Sequence, residues 1–219
     1  MLPFSNQEYR RYPAVSNSDL TELRNQLFGY PQRSSTKAFL FGEILHRCLL
    51  EKGDLLTETM PQGVKPAHLQ PLLDRARQDP FVRWVLRFGV KEKAHLFTDP
   101  GTGLMCKCKT DVLYKNRLIV DIKTTSQPSR AAFLESCHEY DYHRQAAFYL
   151  DGVGARRFVF VGIQKKDPYD VFYFDPTADR SGAAFLREGR QRYQRLLKAF
   201  RELDFRPSSW GPPPLAQAA

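Results

Sequence analysis

Asp121 and Lys123 close an otherwise apolar stretch, Leu118-Ile119-Val120-Asp121-Ile122-Lys123, and Asp111 stands shortly before it in Lys109-Thr110-Asp111-Val112-Leu113-Tyr114. Side chains alternate along a strand, so residues 121 and 123 leave the same face. A carboxylate and an ammonium at the end of an apolar strand are costly to bury without a purpose. Two carboxylates converging there would bind a hard divalent cation such as Mg²⁺, which takes oxygen ligands and keeps several waters. Lys123 could then orient and help deprotonate an attacking water, or stabilise negative charge growing on a phosphate. The plain alternative is a surface ion pair, since D-x-K on a strand is a frequent tripeptide.

Other residues frame these three. His46, between Leu45 and Leu49 in a helical pattern, could project toward the sheet as a neutral imidazole ligand, or be a boundary residue. Glu92 lies just ahead of the first strand, where it is also one of three successive charges, Lys91-Glu92-Lys93. Gln145 and Tyr149 are four residues apart and share a helix face, where an amide and a phenol could contact DNA, brace the catalytic groups or simply pack. Lys107, Lys109, Arg130 and Arg144 flank these positions and are candidate DNA contacts.

The elements that must position them can be read from periodicity and punctuation. Ser16-Asn17-Ser18-Asp19 has the chemistry of a helix start, and Leu20, Leu23 and Leu27 recur up to Gly29-Tyr30-Pro31. A second helix spans 36–51, residues 54–65 read as a loop, and short helices follow over 66–78 and 80–88. Strands are expected over 94–97, 104–114 and 117–122, the first two joined by the turn Asp99-Pro100-Gly101-Thr102-Gly103. Helices over 129–138 and 141–153 precede a continuous apolar strand at 157–163, its partner at 169–174 and a long helix over 178–203. This order predicts an α/β fold, a central mixed sheet flanked by helices, in one domain over 1–205 with a loose tail from 206 to 219.

Length, 219 residues, suits one compact domain, and 42% hydrophobic with 26% charged residues is ordinary for a globular chain. The absence of a long apolar run and of a secretory signal pattern predicts a cytoplasmic protein with no membrane partner. A formal charge of +9 favours polyanionic partners, or serves solubility alone. The cysteines, Cys48, Cys106, Cys108 and Cys137, lack the paired spacing of a zinc or iron–sulfur site and are expected to be reduced, partly buried thiols.

The set as a whole resembles the PD-(D/E)xK nuclease superfamily and, within it, the exonuclease VIII (RecE)-like branch. Gly42-x-x-Leu45-His46-x-x-Leu49-Leu50-Glu51 is similar to the histidine motif, and Asp99 through Asp111 to the hairpin bearing the first aspartate. Asp121-Ile122-Lys123-Thr124-Thr125 resembles the D-x-K strand, and Gln145-x-x-x-Tyr149 the helix that follows it, all in family order over residues 9 to 205. Glu43 departs from the pattern, standing where the family usually has a small residue. The resemblance implies a restriction-endonuclease-like core in which His46, Asp111, Asp121 and the backbone carbonyl of Ile122 ligate the metal. Lys123 is implied as the catalytic lysine, with Glu92 completing the site. It further implies Mg²⁺, replaceable by Mn²⁺, and 5′ to 3′ digestion of linear double-stranded DNA that leaves 3′ single strands for recombination. A homo-oligomeric ring and a single-strand annealing protein are the partners it implies. No G-x-x-x-x-G-K-[ST] motif of an attached helicase is present, whereas an endonuclease or a non-catalytic DNA-binding module on the same fold would share these motifs.

Overall fold

A computed structural model describes residues 5–30, 36–51, 53, 55, 60 and 64–211. The elements run α1 (Asn6–Arg11), α2 (Asn17–Phe28), α3 (Thr36–Leu50), α4 (Pro66–Gln78), α5 (Pro80–Phe88), β1 (Val90–Thr98), β2 (Met105–Tyr114), β3 (Leu118–Thr125), α6 (Arg130–Glu139), α7 (Tyr142–Val153), β4 (Arg157–Gln164), β5 (Val171–Phe174) and α8 (Arg180–Glu202). The five strands form one sheet in sequence order, antiparallel except for β3 against β4. It is the mixed α/β sheet expected from the sequence, with α6 and α7 making the crossover that a parallel pair requires.

Helix starts follow local chemistry. Ser16 and Asp19 form a reciprocal capping box at α2, and Asp79 accepts from the amides of Phe81 and Val82 at α5. Helix α1 was not foreseen, although Ser5 and Glu8 carry the same S-x-x-E signature and make the same box. Strand β1 begins at Val90, four residues before the expected start, because its pairing with β2 reaches back to Leu113. Strand β3 extends to Thr125, held by parallel pairing with β4 down to Thr125 against Gln164. Strand β5 starts at Val171, since Tyr169 takes a left-handed φ of 58° in the preceding turn. The loop expected over 54–65 lies mostly outside the described residues.

Two apolar layers clamp the sheet. Val112, Val120, Ile122, Val159, Val161 and Ile163 face α3, α4 and α5, while Leu113, Ile119, Phe158, Phe160 and Phe172 face α6, α7 and α8. Cys106 and Cys108 join α2, α7 and α8 in a third cluster. Helices α7 and α8 cross so closely that a Cβ at Gly189 would stand 1.9 Å from the His143 carbonyl oxygen. Backbone cannot yield as a flexible side chain can, so Gly189→Ala is expected to cost about 3 kcal/mol or more, the upper range of overpacking. Thermal unfolding of the variant checks this; an unchanged Tm would contradict the close crossing.

The stretch from Arg206 is not loose over its first part. Ser208 donates through its amide to Glu22 (3.0 Å), and the Trp210 indole packs on Phe200 (5.9 Å) with its N–H toward Asp19 (3.4 Å). This corrects the expected start of the tail, whose residues 212–219 lie outside the described chain. Burial pushes the Cys106 thiol up to about 12, and that of Cys108 higher still. Both are therefore neutral in the folded chain while unfolded thiols ionise near pH ~8.5, so their contribution to stability declines as pH rises above that value. A thiol reagent at pH 8 should modify neither until denaturant is added, which a colorimetric thiol titration with and without denaturant measures.

Candidate active site

The β2–β3 ladder is short: it pairs Tyr114 with Leu118, Leu113 with Ile119 and Val112 with Val120. Beyond Val112 and Val120 the strands part, and the amide and carbonyl of Ile122 that would have continued the ladder meet side chains instead. The Asp111 carboxylate accepts from the Ile122 N–H at 2.7 Å, and His46 Nε2 stands 2.7 Å from the Ile122 carbonyl oxygen. His46 comes from α3, the helix laid across this opening, and its Nδ1 is 3.7 Å from Asp111. Both backbone groups released by the splay are thus satisfied by residues that could hold a metal.

Glu92 reaches the same place through a local break. It takes a left-handed φ of 51° between the pairs Lys91–Val112 and Lys93–Thr110, interrupting β1 where it passes Asp111. The face-to-face pattern of β2 changes here too: Cys106 and Cys108 pack toward α7, but Val112 packs toward α3–α5. Ligand atoms of His46, Glu92 and Asp111 all lie within 4.8 Å of one another. Burial raises the Glu92 carboxyl against its ion pair with Lys109, and burial raises that of Asp111, with Asp121 adding to the effect while His46 and Lys123 oppose it.

Asp121 is 2% exposed on β3. Its Oδ1 accepts from Gln145 Nε2 at 2.5 Å, and its Oδ2 pairs with Lys123 Nζ at 2.7 Å. Burial works against the Lys123 ammonium, but Asp121, Tyr142 and Asp111 outweigh it and hold the lysine protonated, above its ordinary range. Its Nζ also lies 4.9 Å from the centre of the Tyr142 ring, a cation–π contact. Tyr149 lies one turn beyond Gln145 and packs against Phe148 and Phe158; burial, first among the causes, holds its phenol well above its ordinary range. It joins the apolar clusters under α7 and is not among the residues that line the cleft.

The donor set suits a hard divalent cation. Two carboxylates, a carbonyl oxygen and one imidazole converge at the strand opening, and the burial that raises Asp111, with repulsion from Asp121 adding to it, is what a cation would offset. The opening forms the floor of a cleft of about 700 Å³. Asn6, Arg10, Phe39, Lys109, Tyr142 and Lys165 are among its walls. Of these only Lys109 was singled out from the sequence; Tyr142 could have been found three residues before Gln145, on the same helix face.

Two candidate DNA contacts are corrected. Lys107 is 1% exposed, and its Nζ donates to the carbonyls of Tyr9 (2.8 Å), Arg10 (3.1 Å) and Tyr12 (2.8 Å), so it fastens the end of α1. Arg144 is 2% exposed and bonds Asn17 (2.9 Å) and Thr21 on α2 while lying 3.6 Å from Asp141. Both cations are occupied by the protein itself, and neither can reach a phosphate. Arg130 is exposed, but donates to the Tyr173 carbonyl (3.1 Å) away from the cleft lining.

A family model described as a PDDEXK-like domain of unknown function (DUF3799) matches residues 16–204. Among solved structures, a candidate exonuclease from Eubacterium rectale superposes with a TM-score of 0.67 at 17% identity, over 94% of this chain and 89% of that one. The alkaline exonuclease LHK-Exo from Laribacter hongkongensis covers 90% of this chain and 98% of its own at 14% identity, with a TM-score of 0.42. Comparison with the curated proteins finds no match. The first structural likeness shows a shared fold, a mixed sheet between helical layers. The chain belongs to the PDDEXK-like family whose model spans nearly all of it.

Proposed function

We propose that this chain is a metal-dependent deoxyribonuclease that digests linear double-stranded DNA from the 5′ end. The observation that carries the reading is the splayed end of β2 and β3, where His46, Glu92, Asp111 and Lys123 meet on the floor of an open cleft, with Asp121 buried behind them 2.7 Å from Lys123. The exonuclease names of the structural relatives and the basic charge of the chain lend support. His46, Asp111, Asp121 and the Ile122 carbonyl would hold Mg²⁺, or Mn²⁺ in its place, with Glu92 beside them. Bound there, the cation would supply Lewis-acid polarisation of the scissile phosphate and a more acidic water.

The protein's own residues do the rest. The Lys123 ammonium, beside Asp121, could orient the attacking water or offer its charge to the phosphate oxygens as negative charge builds on them. Asp121 and the Tyr142 ring fix the direction of that ammonium, and Gln145 fixes Asp121. Lys109, Arg10 and Lys165 stand along the walls where a phosphate backbone would pass. From the family resemblance we carry over a homo-oligomeric ring, a single-strand annealing partner and a role in recombination, and from the sequence pattern a cytoplasmic location. No helix among the described residues is long and apolar enough to cross a membrane.

The test uses linear duplex labelled at either end, beside a closed circle, with Mg²⁺ or with EDTA. The expected result is early release of the 5′ label only, an intact circle and no reaction in EDTA. Cleavage of the circle would favour an endonuclease, and retention of duplex without any cleavage a non-catalytic binding module.

A further inference from the structure

Helix α5 carries Phe81, Trp84 and Phe88 at the i, i+3, i+7 spacing of one helical face. Trp84 is 37% exposed and Phe88 57%, and Val90 just beyond them is 49% exposed. The Trp84 ring centre lies 4.7 Å from that of Tyr114, 6.2 Å from Phe81 and 6.4 Å from Phe88, so four rings make one continuous apolar surface. Cations sit on it: Arg87 is 5.3 Å from the Phe88 centroid and Lys115 is 5.3 Å from that of Tyr114. Residues 80–91 and 112–118 add Arg83, Lys91 and Arg117 and contain no Asp or Glu.

Aromatic surface with charge of a single sign selects a polyanion that also presents flat apolar faces. Unpaired nucleobases on a phosphate backbone meet both demands, and stack on aromatic rings whatever their sequence. A duplex keeps its bases stacked on one another and offers this face only phosphates. An acidic peptide meets the charge but lacks a run of flat rings. The surface is also close to the cleft. Phe88 precedes Glu92 by four residues and Tyr114 follows Asp111 by three, so even extended chain limits these separations to about 14 Å and about 11 Å, a reach of a few nucleotides.

We infer that the face formed by Trp84, Phe88 and Tyr114 is a platform for single-stranded DNA, separate from the cleft. Its use, holding the strand that digestion leaves behind, rests on the nuclease reading; binding to the platform does not.

The protein has two tryptophans, and Trp210 is packed on Phe200, so Trp210→Phe leaves Trp84 as the reporter. In EDTA, where no cleavage occurs, oligo-dT should quench Trp84 fluorescence in the full-length protein. Trp84→Ala with Phe88→Ala should weaken binding of a fluorescein-labelled oligo-dT, read by anisotropy, at least about tenfold, the loss expected for one stacked base. Should that pair disturb the fold by circular dichroism, Arg87→Glu with Lys115→Glu keeps the rings and must weaken binding as well. Unchanged affinity in the folded variants would overturn the inference. So would displacement by poly-L-glutamate as effective as by oligo-dT, or a dimer in sedimentation that Trp84→Ala dissociates. Platform binding without cleavage under Mg²⁺ would sink the nuclease reading alone, and cleavage without platform binding this inference alone.

Discussion

Asp121→Asn should abolish Mg²⁺-dependent release of nucleotides, by about 10⁴-fold or more, while leaving the fold intact. One side chain joins three functions: it is a proposed metal ligand, the acceptor for Gln145 and the partner of Lys123. Groups that act as a unit lose nearly the whole rate enhancement when one of them is removed. Asparagine keeps an oxygen for Gln145 and the shape of the carboxylate, so the apolar surroundings of β3 are not disturbed. Alanine at the same position is a different experiment. Both substitutions remove the counter-charge of the largely buried Lys123 ammonium, but alanine also leaves Gln145 without its acceptor and a void in the buried site, so it should unfold at a lower temperature than Asp121→Asn. Titration with Mn²⁺, thermal unfolding and nuclease rate together separate the two substitutions. Full activity in Asp121→Asn would remove Asp121 from the mechanism.

Lys123→Ala should behave oppositely with respect to metal. Loss of a positioned charge at the reacting centre commonly lowers turnover by about 10²–10³-fold, and the same loss is expected here. Metal affinity should hold or rise, because the ammonium 2.7 Å from Asp121 competes with a cation for that carboxylate. The signature is a fall in kcat with KM for DNA little changed, since the lysine serves charge that develops only during reaction. A purified Lys123→Ala protein that digests DNA at the parental rate would refute the assigned role.

Much of this site could be seen in the sequence because its polar residues interrupt strongly apolar patterns. Asp121 and Lys123 stand out against Leu118-Ile119-Val120, and His46 against Ile44-Leu45 and Leu49-Leu50. What could not be seen was where each charge finds its partner. Lys107 and Lys109 look alike on one strand, yet the first is buried under three carbonyls from α1 and the second opens onto the cleft. Arg144 precedes Gln145 in the chain, but a helix turns adjacent residues to different sides, one to α2 and the other to Asp121 on β3. Glu92 hides in a charged tripeptide, and only the left-handed turn of its backbone brings it to Asp111. The early end of the β2–β3 ladder, on which the whole arrangement depends, is a matter of pairing between segments and leaves no mark in either segment alone.

The first turn of α7 has a mechanical meaning. His143 abuts α8 at Gly189, Arg144 is bolted to α2, and Gln145 grips Asp121 on β3, so three consecutive residues tie three elements to a single point. That turn is a keystone: what loosens the helical layer there also lets the Asp121 carboxylate, the proposed metal ligand, drift. Durability and activity are therefore inseparable at this joint.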